Sequence, residues 1–351
     1  MLKHLVVLLV FSLILISCGE KKNEPENKIS DKEKYTFDST DLKTDGVDNT
    51  GKPFFLKYKF VKGDKAVYRL TTIANNTQTI TMDSAMSQSV NQKIVYLIDF
   101  TVKDVDEEGS TEAEIKINSL KLEASANGQN FNFEAGKDVD SASIHQFAEY
   151  QSLYNNPFSV RFNTKGEILE IYKAGKISNK FLELKGVGDT ISVNDRNSIR
   201  SEIINGVLTP LLTQIIRKLS DKEVYTDSTW QIQQVPVPLM VYQINYTNTY
   251  RVENVEKLDG NRVAVIDAGI DFKYSGEPKV NQGNILYSFQ KPISIAEGKI
   301  YFDVDKGIQI KSRTKTRLEI SYSMEANTPQ GKQKGTRHDV ISNTNILELL
   351  K

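Results

Sequence analysis

From Phe54 onward, apolar and polar residues alternate along most of this chain. Phe54, Leu56, Tyr58 and Phe60 alternate with Phe55, Lys57, Lys59 and Val61, and the run stops at the turn Lys62-Gly63-Asp64. A period of two marks a half-buried strand, because successive side chains point to opposite faces of a sheet. Further runs of this kind span 94–102, 113–122, 160–162, 263–272, 300–304 and 308–324. Between them stand Glu108-Gly109, Asn127-Gly128, Lys165-Gly166, Asp259-Gly260 and Lys306-Gly307, each with a glycine where a tight connection needs positive φ. The repetition predicts a mainly β fold of the α+β kind. Its strands are long and antiparallel, in a meander that forms a curved sheet or an open barrel with one face buried and one wet.

Two windows break the alternation. Residues 143–154 carry Ile144, Phe147, Tyr150 and Tyr154 at helical spacing, which predicts a short amphipathic helix. Over 197–219, Ile199, Ile203, Val207, Leu211, Ile215 and Leu219 recur every four residues, so this segment is predicted as a long helix with a buried stripe. Asp195 or Asn197 is its expected N-cap, and Pro210 is expected to kink or split it. Lys311 to Arg317 place basic residues along a late strand, where charge discourages edge-to-edge pairing.

The N-terminus follows another pattern. Lys3 and His4 precede Leu5 to Ile16, where only Ser12 is not apolar. Twelve residues rising about 1.5 Å each fall short of the roughly 30 Å of a bilayer core, so residues 1–17 read as an export signal. Leu15-Ile16-Ser17-Cys18 resembles the bacterial lipobox, which implies acylation of Cys18 and a membrane partner through that anchor. Gly19 is not the Asp of an inner-membrane retention signal, which favours the outer membrane. Residues 18–52 are rich in Lys, Glu, Asp and Asn and are expected to be a flexible tether. Residues 53–351 form the β-rich domain, with the halves before and after Trp230 left open as one sheet or two meeting near 190–230.

Charge and composition narrow the chemistry. The chain has 351 residues, 45 Lys+Arg against 45 Asp+Glu, and Cys18 is its one cysteine. This excludes a disulfide-stapled fold, a Cys-rich zinc module and a polybasic nucleic-acid binder. Beyond the signal only His145 and His338 remain, and His338-Asp339 would face opposite sides of a strand. Ser312-Arg313-Thr314-Lys315 matches S-x-x-K, but on a strand the Ser and the Lys diverge. Asp104, Asp106 and Glu108 resemble half an EF-hand loop, yet Ile115 stands where its bidentate Glu belongs. No catalytic, metal or cofactor site is assigned. Tyr242, Tyr246, Tyr250, Phe272, Tyr274 and Tyr287 form an aromatic group suited to strands, sugars or a lipid pocket.

Phe60-Val61-Lys62-Gly63-Asp64, the segment 158–172, Thr226-Asp227-Ser228-Thr229-Trp230 and 298–307 together resemble an uncharacterised lipoprotein domain family of Gram-negative envelopes, a domain of unknown function. The resemblance runs from about Phe54 to the C-terminus and implies a lipid-anchored, long-stranded β protein without an assigned active site. The expected function is a non-enzymatic binding or structural module of the cell envelope, with an envelope protein or a glycan as partner. The alternative is a carrier that holds a lipid or other hydrophobic ligand in an open barrel.

Overall fold

A computed structural model describes residues 31–47, 51–137, 140–188, 190–328 and 331–350. The signal 1–17, Cys18 and the first part of the tether lie outside the described residues. Strands take 57% of the chain and helices 15%, in line with the mainly β expectation. In chain order the strands are β1 (Gly46–Val47), β2 (Lys65–Thr81), β3 (Ala85–Val105), β4 (Thr111–Ala126), β5 (Gln129–Glu134), β6 (Phe158–Phe162), β7 (Ile168–Tyr172) and β8 (Thr229–Gln233). They continue with β9 (Val237–Leu239), β10 (Tyr242–Leu258), β11 (Asn261–Gly276), β12 (Lys279–Gln282), β13 (Ile285–Phe289), β14 (Ile293–Asp303), β15 (Ile308–Thr328) and β16 (Gly331–Leu349).

These form one 16-stranded sheet with the path β1-β10-β11-β14-β15-β16-β2-β3-β4-β6-β7. It is antiparallel, curved and not closed. The alternative of two sub-sheets does not hold, because β16 pairs with β2 from Thr336↔Thr81 to Leu349↔Tyr68 and joins the halves. The register shifts at Leu97/Ile98, Val102/Asp104, Arg161/Phe162, Val252/Asn254 and Tyr301/Phe302, all in the half that carries the core. Each extra residue bends its strand and adds twist, so the sheet curls hardest there.

Residues 54–60, expected as a strand, stay outside the ladders. The alternation is real: Phe54, Leu56 and Tyr58 are buried and Phe55 is exposed. The backbone bonds go elsewhere, Phe54 exchanging both with Val224, while the Tyr58 and Lys59 N–H groups donate to the Thr164 and Gly307 carbonyls. The segment thus crosses the curled end as a plug. Its Tyr58 ring meets Phe60, Phe162 and Phe302 at centroid distances of 6.0, 5.8 and 5.4 Å. The turns it crosses must come close: a Cβ on Gly307 would lie 2.6 Å from the Lys57 carbonyl oxygen, and φ there is +67°.

The helices fill the same end. The window 143–154 is two short helices, α2 (Ser141–Gln146) and α3 (Ala148–Leu153), broken at Phe147. They are followed by α4 (Gly175–Leu184). The long helix runs 193–215 as 23 residues, made of α5 (Val193–Ile203), a π-helical turn over Ile204–Leu208 and α6 (Thr209–Ile215). Its N-cap is Ser192, whose hydroxyl accepts from the Asp195 N–H, rather than Asp195 or Asn197. Pro210 neither splits nor ends the helix. Thr209 donates its N–H to the Ile204 carbonyl five residues back, and the widened turn makes room for the proline ring that would strike the preceding turn. Leu208, Leu211, Leu212 and Ile215 are buried in the core.

Glu149, in the first turn of α3, is half-buried, and burial raises its carboxyl above the ordinary value of 4.5, with Lys185 opposing. The unfolded chain then ionises first as pH rises from 4.5, so this residue lowers stability progressively above that pH. Glu149→Gln is expected to be more stable than the parent at pH 7, with the gap closing toward pH 4. Urea midpoints at both pH values check this.

The tether expected over 18–52 does not extend through 31–47, which lies across the outer face of the sheet. The short helix α1 (Asp31–Tyr35) places the Tyr35 hydroxyl 2.7 Å from Glu134 Oε1, and Asp38 pairs with Lys311 at 3.0 Å. Arg69 bonds Glu348 at 2.9 Å and the Glu33 carbonyl at 2.7 Å. Gly46–Val47 then pair with Glu256 and Lys257. Polar composition, read as disorder, serves here as ion pairing to a charged sheet face. Nor are the charges of Lys311 to Arg317 edge protection, since β15 is an inner strand between β14 and β16.

Candidate functional site: an uncharged trough

One register row marks where the core ends. Tyr250, Ala268, Gly298, Thr314, Asn345, Thr72 and Ile94 are paired in sequence across the sheet from β10 to β3. At this floor Trp230 stacks on Tyr250 with centroids 5.1 Å apart. The Arg217 backbone N–H donates to the Tyr58 hydroxyl at 2.8 Å. Past the row, on the flank of β3–β5, α2 and α3 still cover the inner face: Phe147 stacks on Phe133, and Gln92 donates to the Tyr150 hydroxyl at 3.1 Å. On the flank of β10–β15 the inner face runs on beyond the core.

That flank is an aromatic wall. Period two puts Tyr242, Ile244, Tyr246, Ile270, Phe272 and Tyr274 on the same face as the buried Val252 and Ile266. Tyr246 stacks on Phe272 and Phe272 on Tyr274, both at 6.5 Å. Phe289 meets Tyr322 at 4.8 Å and Tyr242 at 6.4 Å, which links β13 to the same wall. These rings are half-buried, except that Tyr322 is buried. From Tyr250 to Tyr242 the wall extends eight residues, roughly 27 Å at about 3.4 Å each.

The two faces of the sheet differ sharply in charge. On β15, Lys311, Arg313, Lys315, Arg317 and Glu319 point outward, and Thr314, Thr316, Leu318 and Ile320 point into the trough. Beyond the floor row, among the described residues, the strand residues on the inner face carry two charges, Arg337 and Asp339. These pair with each other, Nη2 to Oδ2 at 2.9 Å, beneath the Tyr322 ring. The trough is therefore apolar and aromatic on one side and has no net charge from its strands.

The remaining sequence candidates fall outside it. His145 is exposed on α2, and His338 faces outward with Nδ1 2.8 Å from the Ser321 hydroxyl, on the side opposite Asp339. Ser312 is buried and Lys315 exposed, on opposite faces as the strand reading required. Asp106 closes its own hairpin by accepting from the Glu108 and Ser110 N–H groups and pairing with Arg161. These bonds hold its carboxyl below the usual range. Among the described residues, no group of three or more His, Cys, Asp or Glu is placed to hold a metal ion.

The sequence named Tyr242, Tyr246, Tyr250, Phe272, Tyr274 and Tyr287 as a group, and the fold brings all of them to this flank. It missed Phe289, Tyr322 and Leu318, and the amides Asn76 and Asn343 across the trough. The signal was in the charges: over 311–319 every second residue is ionic and none of those between is, which marks a solvent face and a ligand or core face.

No curated protein sequence matches the chain. Among solved structures, a lipovitellin, described by its lipid–protein interactions, is 13% identical over 84% of this chain and 26% of its own, with a TM-score of 0.44. The chain thus spans about a quarter of that protein. OccK2 (OpdF) of Pseudomonas aeruginosa, in complex with glucuronate, is 7% identical over 87% of this chain and 100% of its own, at 0.18. A DUF1329 family protein from Desulfovibrio piger is 8% identical over 80% and 85%, at 0.12. A family model described as a family of unknown function, DUF6263, matches residues 108–308, from the β3–β4 turn to the start of β15. That is more than half of the chain, and the protein belongs to this family.

Proposed function

We propose that this protein is a non-enzymatic, lipid-anchored protein of the cell envelope, tethered to the outer membrane through Cys18, whose open trough carries a hydrophobic or amphiphilic molecule. The observation that supports this reading is the aromatic, uncharged inner face beyond the core. Half-exposed rings in a row of roughly 27 Å leave apolar area in contact with water, and covering it with an apolar chain recovers about 25 cal/mol per Å². A module that binds a charged glycan or a polar protein surface would be expected to use the ionic outer face instead. The test is titration of the purified full chain with N-phenyl-1-naphthylamine, a neutral fluorescent probe, followed by competition with extracted envelope lipids. Saturable binding that the lipids reverse supports the carrier; absence of saturable binding removes it. The anchor is tested separately: Cys18→Ala should lose acyl labelling and leave the membrane fraction.

A further inference from the structure

The wall opposite the aromatics sets amides and hydroxyls among small and aliphatic residues, Ala74 and Ile341. On the inner face of the β16–β2 seam, Thr72 pairs with Asn345; Asn343 lies one inward-facing step further out, opposite Ala74, and Asn76 two steps out, opposite Ile341, so the two amides are diagonal neighbours. Thr316 stands beside Asn343 on β15. Thr72 and Asn345 satisfy each other, hydroxyl to Oδ1 at 2.9 Å. Asn76 is different: its Oδ1 is buried and has no hydrogen-bond partner. A buried amide oxygen without a donor is costly to desolvate and is normally matched by something. A plain acyl chain lying along this seam would leave these groups unmatched.

From this juxtaposition we infer that the trough's ligand is an uncharged amphiphile, with its apolar chain on the aromatic wall and hydroxyl or amide groups, as in a sugar-bearing lipid, on the seam formed by Asn76, Asn343 and Thr316. Charge is disfavoured because the one cation and one anion of the inner strand face, Arg337 and Asp339, are bonded to each other at 2.9 Å and offer no free partner. An ionic head group would have to break that pair or be desolvated alone. An uncharged polar head can meet the amides of Asn76 and Asn343 and the hydroxyl of Thr316 without breaking an ion pair. This inference rests on the carrier reading and sharpens it.

The test uses three probes with the same twelve-carbon chain below their micellar concentrations: dodecyl glucoside, dodecyl phosphate and dodecyltrimethylammonium. Each competes with N-phenyl-1-naphthylamine on the purified full chain, and quenching of Trp230 at the floor is a second readout. The glucoside is expected to bind at least about tenfold more tightly than either ion. In Asn76→Leu/Asn343→Leu that advantage should shrink by about tenfold, or about 1.4 kcal/mol, while affinity for the neutral fluorescent probe stays unchanged or rises. Retained binding of the fluorescent probe shows that the variant is folded. Equal or tighter binding of an ionic probe, or an undiminished glucoside advantage in the double variant, overturns the uncharged head group and leaves the hydrophobic trough standing. If the parent protein fails to bind the fluorescent probe, the carrier reading falls and this inference with it.

Discussion

Replacing Tyr58 by alanine is expected to destabilise the protein by about 3–5 kcal/mol, the range for truncating a large aromatic in a packed core. Tyr58 is 4% exposed and touches rings from both flanks of the curled sheet, Phe162 of β6 and Phe302 of β14. Its hydroxyl also accepts from the Arg217 N–H at 2.8 Å, just past the end of α6, so alanine would leave both a cavity and an unsatisfied donor. Tyr58→Phe separates the two contributions: keeping the ring and losing the hydroxyl should cost about 1–2 kcal/mol. Phe55→Ala, one strand parity away and 42% exposed, should stay within about 1 kcal/mol. Urea denaturation of the three variants checks the order. A loss for Tyr58→Ala no larger than that of Phe55→Ala would mean that residues 54–60 do not tie the flanks together.

The alternation that located β3, β4, β11 and β15 was legible because burial on one face leaves a trace at every second residue. The same trace misled at 54–60. Periodicity reports which side chains are buried, and Phe54, Leu56 and Tyr58 are, but it is silent on where the backbone bonds go, which here is to Val224, Thr164 and Gly307. Pro210 misled for a related reason: the rule that proline breaks a helix assumes an undisturbed α ladder, and a π turn removes the clash. Residues 31–47 looked too polar to dock because burial was imagined as apolar. Their partners are Arg69, Lys311 and Glu348, which the strand pattern alone marks as solvent-facing. The aromatic wall was visible as a cluster of residue types, yet its meaning needed the register, which shows that those rings continue the core face beyond the core.

That continuation makes position 272 the most sensitive point for binding. Phe272 stacks between Tyr246 and Tyr274, and aspartate there would remove the ring and put a charge on a strand face where, among the described residues, Arg337 and Asp339 cancel each other. Loss of the contact area alone is worth about 2–3 kcal/mol, or roughly 30–150-fold in affinity. Neutral fluorescent probe and lipid competitors should therefore bind Phe272→Asp at least about 30-fold more weakly. Lys273→Asp reverses a charge on the adjacent residue, which faces outward, and should leave the affinity as it is. Lys273→Asp is expected to unfold within about 1 kcal/mol of the parent, and Phe272→Asp, which loses two ring contacts but lies beyond the core cluster, at about 1–3 kcal/mol below it, so both affinities are compared where urea curves show the variants folded. Equal weakening by the two substitutions would show that net charge near this end matters and the inner face does not. Selective loss at 272 would show that the ligand lies on the concave side, against the rings that the register places there.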